Sequence, residues 1–93
     1  MTKVIYRTKD GRADYAFSLE RQADGEVRAY ITSQPNYAGR DNSGHATHRY
    51  TDLRDDRRYI CWDGSLRTED DAKKVAAAWA DRTQEYIRSG KGF

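Results

Sequence analysis

The sequence predicts an α+β domain, an antiparallel β-meander of three to five strands with one C-terminal α-helix packed across one face. Three observations carry that expectation. Ala13, Tyr15, Phe17 and Leu19 alternate with Asp14, Ala16, Ser18 and Glu20, the period of a strand with one buried face. Lys9-Asp10-Gly11-Arg12 and Ala23-Asp24-Gly25-Glu26 fall where a meander needs turns, with glycine available for positive φ. Residues 68–89 combine a capping threonine, an acidic first turn and an apolar stripe at helical spacing.

In chain order, Thr2 to Thr8 is rich in β-branched and aromatic residues and forms the first strand. Ala13 to Glu20 is the second. Glu26 to Ser33 is the third, with Val27, Ala29 and Ile31 facing inward and Arg28, Tyr30 and Thr32 outward. From Gln34 to Gly44 the composition turns to Pro, Asn, Gly, Ser and Asp, so a long, flexible loop is expected, reaching to about residue 48. His45 to Asp52 reads as a polar edge strand or a continuation of that loop. Arg57 to Asp63, around the dense run Tyr59-Ile60-Cys61-Trp62, reads as a strand whose Ile60 and Trp62 face the helix. In the final helix Thr68 caps, Glu69, Asp70 and Asp71 sit where the helix dipole favours acid, and Arg88-Ser89-Gly90 closes it. Its apolar face is Ala72, Val75, Ala76, Trp79, Thr83, Tyr86 and Ile87.

Composition limits the function classes. The 93 residues make a single domain, 1–93, because two cores could not each be self-sufficient at this length. Hydrophobic residues are only 37%, so the core is small, yet a net charge of +2 and 12% aromatic residues argue against disorder. No window approaches a membrane span and the N-terminal segment lacks the apolar centre of a signal peptide, so a cytoplasmic protein is expected. The single Cys61 excludes an internal disulfide framework and a zinc site with two thiolates from one chain.

Catalytic chemistry finds little support. His45 and His48 are three residues apart, a spacing that fixes no metal geometry in a strand or a loop, and no metal or other cofactor is expected. Cys61 sits in the most apolar strand with no base beside it to lower its pKa. Asp55 and Asp56 lie among Arg54, Arg57 and Arg58, which hold carboxylates ionised, and Glu69 to Asp71 are explained by capping. No glycine-rich loop precedes a helix, so no phosphate cradle of that kind exists. The expectation is a non-enzymatic binding domain.

The outward sheet face gathers Arg28, Tyr30, Thr32, Arg57 and Tyr59, with Arg7 or Lys3 from the first strand, and such a basic, aromatic surface suits nucleic acid. The same face also accommodates Arg28 paired with Glu20 or Asp14 across the strands. Trp62-Asp63-Gly64-Ser65-Leu66-Arg67-Thr68-Glu69-Asp70-Asp71-Ala72, leading into an Ala-rich helix, resembles the strand-to-helix passage of AP2-type DNA-binding domains and of the arm-binding domains of phage integrases. The likeness covers the last third of the chain. It implies a three-stranded sheet docked in the major groove with the helix bracing its back, and DNA-contacting roles for Arg28, Tyr30, Arg57 and Tyr59. The first expectation is therefore a bacterial or phage nucleic-acid-binding domain using Arg7, Arg28, Tyr30, Thr32, Arg57 and Tyr59. The second is a protein-binding module or inhibitor, a homodimer included, using the sheet edge and the 34–48 loop with Tyr37, Arg40, His45 and His48.

Overall fold

The computed structural model describes residues 1–62 and 64–92. Strands β1 (Thr2–Arg7), β2 (Asp14–Arg21) and β3 (Val27–Ser33) form the expected meander. They are followed by a short helix α1 (Gly44–Thr47), strands β4 (Arg49–Thr51) and β5 (Arg58–Ile60), and the long helix α2 (Glu69–Ser89). One antiparallel sheet results, in the order β1-β2-β3-β5-β4. The β1–β2 register runs from Thr2 opposite Leu19 to Arg7 opposite Asp14, and Glu20 faces Arg28 across β2–β3. Tyr59 lies between Tyr30 on β3 and Tyr50 on β4, so three tyrosines line up across three strands.

The alternation in β2 puts Tyr15, Phe17 and Leu19 on the helix side, where they join Val27, Ala29 and Ile60 in the core. Helix α2 contributes Ala72, Val75, Ala76, Trp79 and Ala80. The alanines keep that face low, and Trp79 is the large side chain it inserts between Tyr15 and Phe17. Its ring meets Tyr15 and Phe17 edge-on, with centroids 5.9 and 6.1 Å away. The helix ends as its sequence dictates: Thr68 accepts a hydrogen bond from the Asp71 amide at 3.1 Å, and Gly90, at φ 77°, returns its amide to the Tyr86 carbonyl at 2.8 Å. Thr68→Ala is expected to cost about 1 kcal/mol, read from the urea midpoint, with helix content otherwise unchanged.

Three expectations are corrected. Residues 45–52 are not one strand, because Ser43 caps a helical turn by accepting from the Ala46 amide at 3.2 Å and His48 leaves that turn in the left-handed region at φ 52°. Only Arg49–Thr51 then pairs, at the sheet edge. The segment 34–48 is not a loose loop either. Tyr37 packs on Tyr86 with centroids 6.1 Å apart, Tyr86 donates to the Asp41 carbonyl at 2.8 Å, and the Trp79 indole donates to the Thr47 carbonyl at 3.0 Å. Buried aromatic rings thus lash it to the C-terminal half of α2. Finally, the strand expected over Arg57 to Asp63 is β5, only Arg58–Ile60; Trp62 follows it and is 48% exposed, and Asp63 lies outside the described residues. No helix among the described residues is long and apolar enough to cross a membrane.

Candidate functional site

The outward face of β3, β5 and β4 holds the residues the sequence singled out, arranged in two crossing sandwiches. Arg57 lies over the Tyr30 ring, 3.8 Å from its centroid, and reaches Glu20 with two hydrogen bonds of 2.7 and 3.1 Å. Its Nε also donates to Asp55 at 2.7 Å. Arg28 lies over the Tyr59 ring, 4.2 Å from its centroid, and reaches Asp52 at 3.3 Å. Glu20 and Arg28 are direct cross-strand neighbours, yet each takes a diagonal partner, because the extended guanidinium gains a tyrosine face on the way.

Asp52 is the hub of the network. It is 5% exposed and accepts from the Tyr30 hydroxyl at 2.6 Å, from Arg28, and from Arg54 through Nη2 at 2.8 Å, Nε at 3.1 Å and the backbone amide at 3.0 Å. The Arg54 side chain first, then the Tyr30 hydroxyl and the Arg54 amide, hold its carboxyl far below the usual carboxylate range. Hydrogen bonds from Arg57, and then from Ser18, lower Glu20 in the same way. Tyr30, closed in on all sides, points outward as expected but has 0% of its surface exposed.

The remaining predicted residues are spread out. Arg7 pairs with Asp14 at 3.1 Å near the β1 edge, and Thr32 is exposed at the far end of β3. Tyr37 is buried against Tyr86, and Arg40 donates to the Ile87 and Arg88 carbonyls at 3.4 Å each, so both serve the attachment of the 34–48 segment to α2. His45 is exposed on α1, and the His48 carbonyl accepts from the Cys61 amide at 2.9 Å. Among the described residues no three His, Cys, Asp or Glu side chains are grouped to hold a metal ion. Cys61 is a half-buried thiol.

Sequence reasoning missed the apolar part of this surface. Tyr50, Leu53 and Trp62 are 53%, 92% and 48% exposed. Trp62 and Tyr50 border a cleft of about 180 Å³ and Leu53 borders one of about 500 Å³, and Arg28 and Tyr59 line both. Tyr50 stands 5.6 Å from Tyr59, centroid to centroid, on the edge strand. Leu53 carried a usable signal, an apolar residue alone in the turn Asp52-Leu53-Arg54-Asp55-Asp56, where no core can reach it.

Fold and surface together define a small antiparallel sheet backed by one helix, with an aromatic, ion-paired open face and an exposed apolar rim at one edge. Comparison with protein-family models, with curated proteins and with solved structures finds no match to this chain.

Proposed function

We propose that this domain is a protein-binding module that receives an extended segment of a partner along the β4 edge, seating apolar side chains around Tyr50, Leu53 and Trp62. The observation that carries the reading is the continuity of these three exposed side chains through two clefts that share Arg28 and Tyr59. Trp, Tyr and Arg are the residue types that dominate binding energy at protein interfaces, and residues of these types line both clefts here. Nucleic-acid binding through the sheet arginines is less well supported. Arg7, Arg28 and Arg57 each already hold a carboxylate, so a phosphate would have to displace an acid at every contact instead of a loosely held counterion.

Peptides selected from a random displayed library on the purified domain test the reading. Trp62→Ala is expected to weaken the selected peptides about 30-fold, the size of a hot-spot truncation, and Leu53→Ala to weaken them in the same direction. Neither change should move the unfolding midpoint appreciably, since both side chains lie largely outside the core. Peptides that bind both variants as well as they bind the parent would contradict the proposal.

A further inference from the structure

A third cleft, of about 340 Å³, opens at the ends of β3 and β5 and shares no lining residue with the two clefts of the Trp62 surface. Its walls carry three arginines, Arg49, Arg57 and Arg58, against one carboxylate, Asp56. Thr32, Ser33 and Gln34 add two hydroxyls and an amide. The β4–β5 register sets Arg49 opposite Ile60 and Thr51 opposite Arg58, so Arg49 and Arg58 are diagonal neighbours on the face that Ile60 turns to the core.

The two guanidiniums differ from those on the outer face in how their charge is met. Arg57 is neutralised by Glu20 and Asp55. Among the described residues Arg49 donates to neutral acceptors, the Thr47 hydroxyl at 2.8 Å, the Asn42 carbonyl at 2.8 Å and the Gln34 amide oxygen at 3.3 Å, and it lies over the Tyr37 ring. The Arg58 Nη1 is buried and has no hydrogen-bond partner among the described residues. Among the described residues neither Arg49 nor Arg58 has a carboxylate within ion-pair distance. Burial first, and then the charge of Arg58, pull the Arg49 pKa below its ordinary value, with Tyr37 opposing. Two neighbouring cations that no carboxylate of the described residues meets repel each other, and an anion with several acceptor oxygens, seated against the solvent-facing parts of both guanidiniums, relieves that repulsion.

We propose that this cleft binds a phosphoryl oxyanion, held by the Arg49 and Arg58 guanidiniums with Thr32 and Ser33 at its rim. A dianionic tetrahedral group matches two neighbouring guanidiniums in charge, and it offers more acceptor oxygens than one carboxylate. The phosphoryl group comes either from free phosphate or from a phosphorylated side chain.

Amide chemical shifts of the ¹⁵N-labelled protein, titrated at constant ionic strength, decide the matter and separate the sources. The probes are inorganic phosphate, a phosphoserine peptide and the same peptide with serine. Saturable shifts confined to residues 31–34, 49 and 56–58 are expected with phosphate, with the phosphopeptide, or with both, and not with the serine peptide. Arg58→Ala, which removes one of the two guanidiniums, is expected to bind at least about tenfold more weakly while remaining folded. Asp56→Asn, which removes the one opposing carboxylate of the cleft, is expected to tighten binding. Absence of saturable shifts with both phosphoryl probes, or equal affinity in a folded Arg58→Ala variant, would overturn the proposal.

Discussion

Replacing Trp79 with alanine is expected to destabilise the domain by about 3–5 kcal/mol. The indole is 2% exposed, fills the space between the edges of Tyr15 and Phe17, and supplies the donor for the Thr47 carbonyl. Its buried neighbours on α2 are small, Val75, Ala76, Ala80 and Thr83, and cannot expand into the cavity. A domain of this length has a total stability of roughly 5–14 kcal/mol, so the variant should lose a large part of it. The damage should also spread, because α1 and the start of β4 hang from that indole through Thr47. Urea unfolding followed by far-UV circular dichroism measures the loss, with Trp62→Ala as the control for a tryptophan outside the core. A Trp79→Ala midpoint equal to that of Trp62→Ala would show that the helix-to-sheet packing described above does not hold the fold.

The second large effect concerns the open face. Tyr30→Phe keeps the ring under Arg57 and removes only the hydroxyl that Asp52 accepts at 2.6 Å. A hydrogen bond to a charged group is worth about 1.5–3 kcal/mol, and a loss of that size is expected at pH 7. The network also sets the acid response. Asp52 and Glu20 both have folded pKa values below their ordinary ones, so the stability they confer is present above the unfolded values, about 3.9 and 4.3, and is lost as pH falls below them. The unfolding midpoint should therefore be insensitive to these groups from pH 7 to about 5 and decline below that. Asp52→Asn should start from a lower midpoint at pH 7 and show a shallower decline. An Asp52→Asn variant with the full acid sensitivity of the parent would remove Asp52 from the hub position.

The parts of this fold that were legible are those set by local periodicity. Tyr15, Phe17 and Leu19 declare one face of β2 by spacing alone, and Thr68 with its three acids declares where α2 begins. Gly25, at φ 88°, marks the turn between β2 and β3. What was hidden depends on contacts between distant residues. The insertion of β5 between β3 and β4 leaves no local trace, and it is this insertion that makes β4 an edge and exposes Tyr50. The period of two places Arg28 and Arg57 correctly on the outward face but does not choose their partners. Arg57 finds Glu20, 37 residues away, across Tyr30, and this choice turns an apparent cationic face into a neutralised one. Polar surroundings in the sequence mark Tyr37 as an interface anchor, whereas Tyr86 and Arg49 cover it in space.

The proposed protein-binding role depends on Arg28 and Arg57 being committed to internal carboxylates and on the exposed Trp62 rim. One titration addresses both halves: the purified domain against a library-selected peptide and against a mixed labelled pool of DNA and RNA, each at ~50 and ~200 mM salt. Peptide affinity should change little across that range and fall in the Trp62→Ala variant, and nucleic-acid binding should show no dependence on Arg28 and Arg57. Nucleic-acid binding that drops about 10³- to 10⁵-fold over the same range, the signature of ~6–10 phosphate contacts, and that disappears when Arg28 and Arg57 are both replaced by alanine, would contradict it.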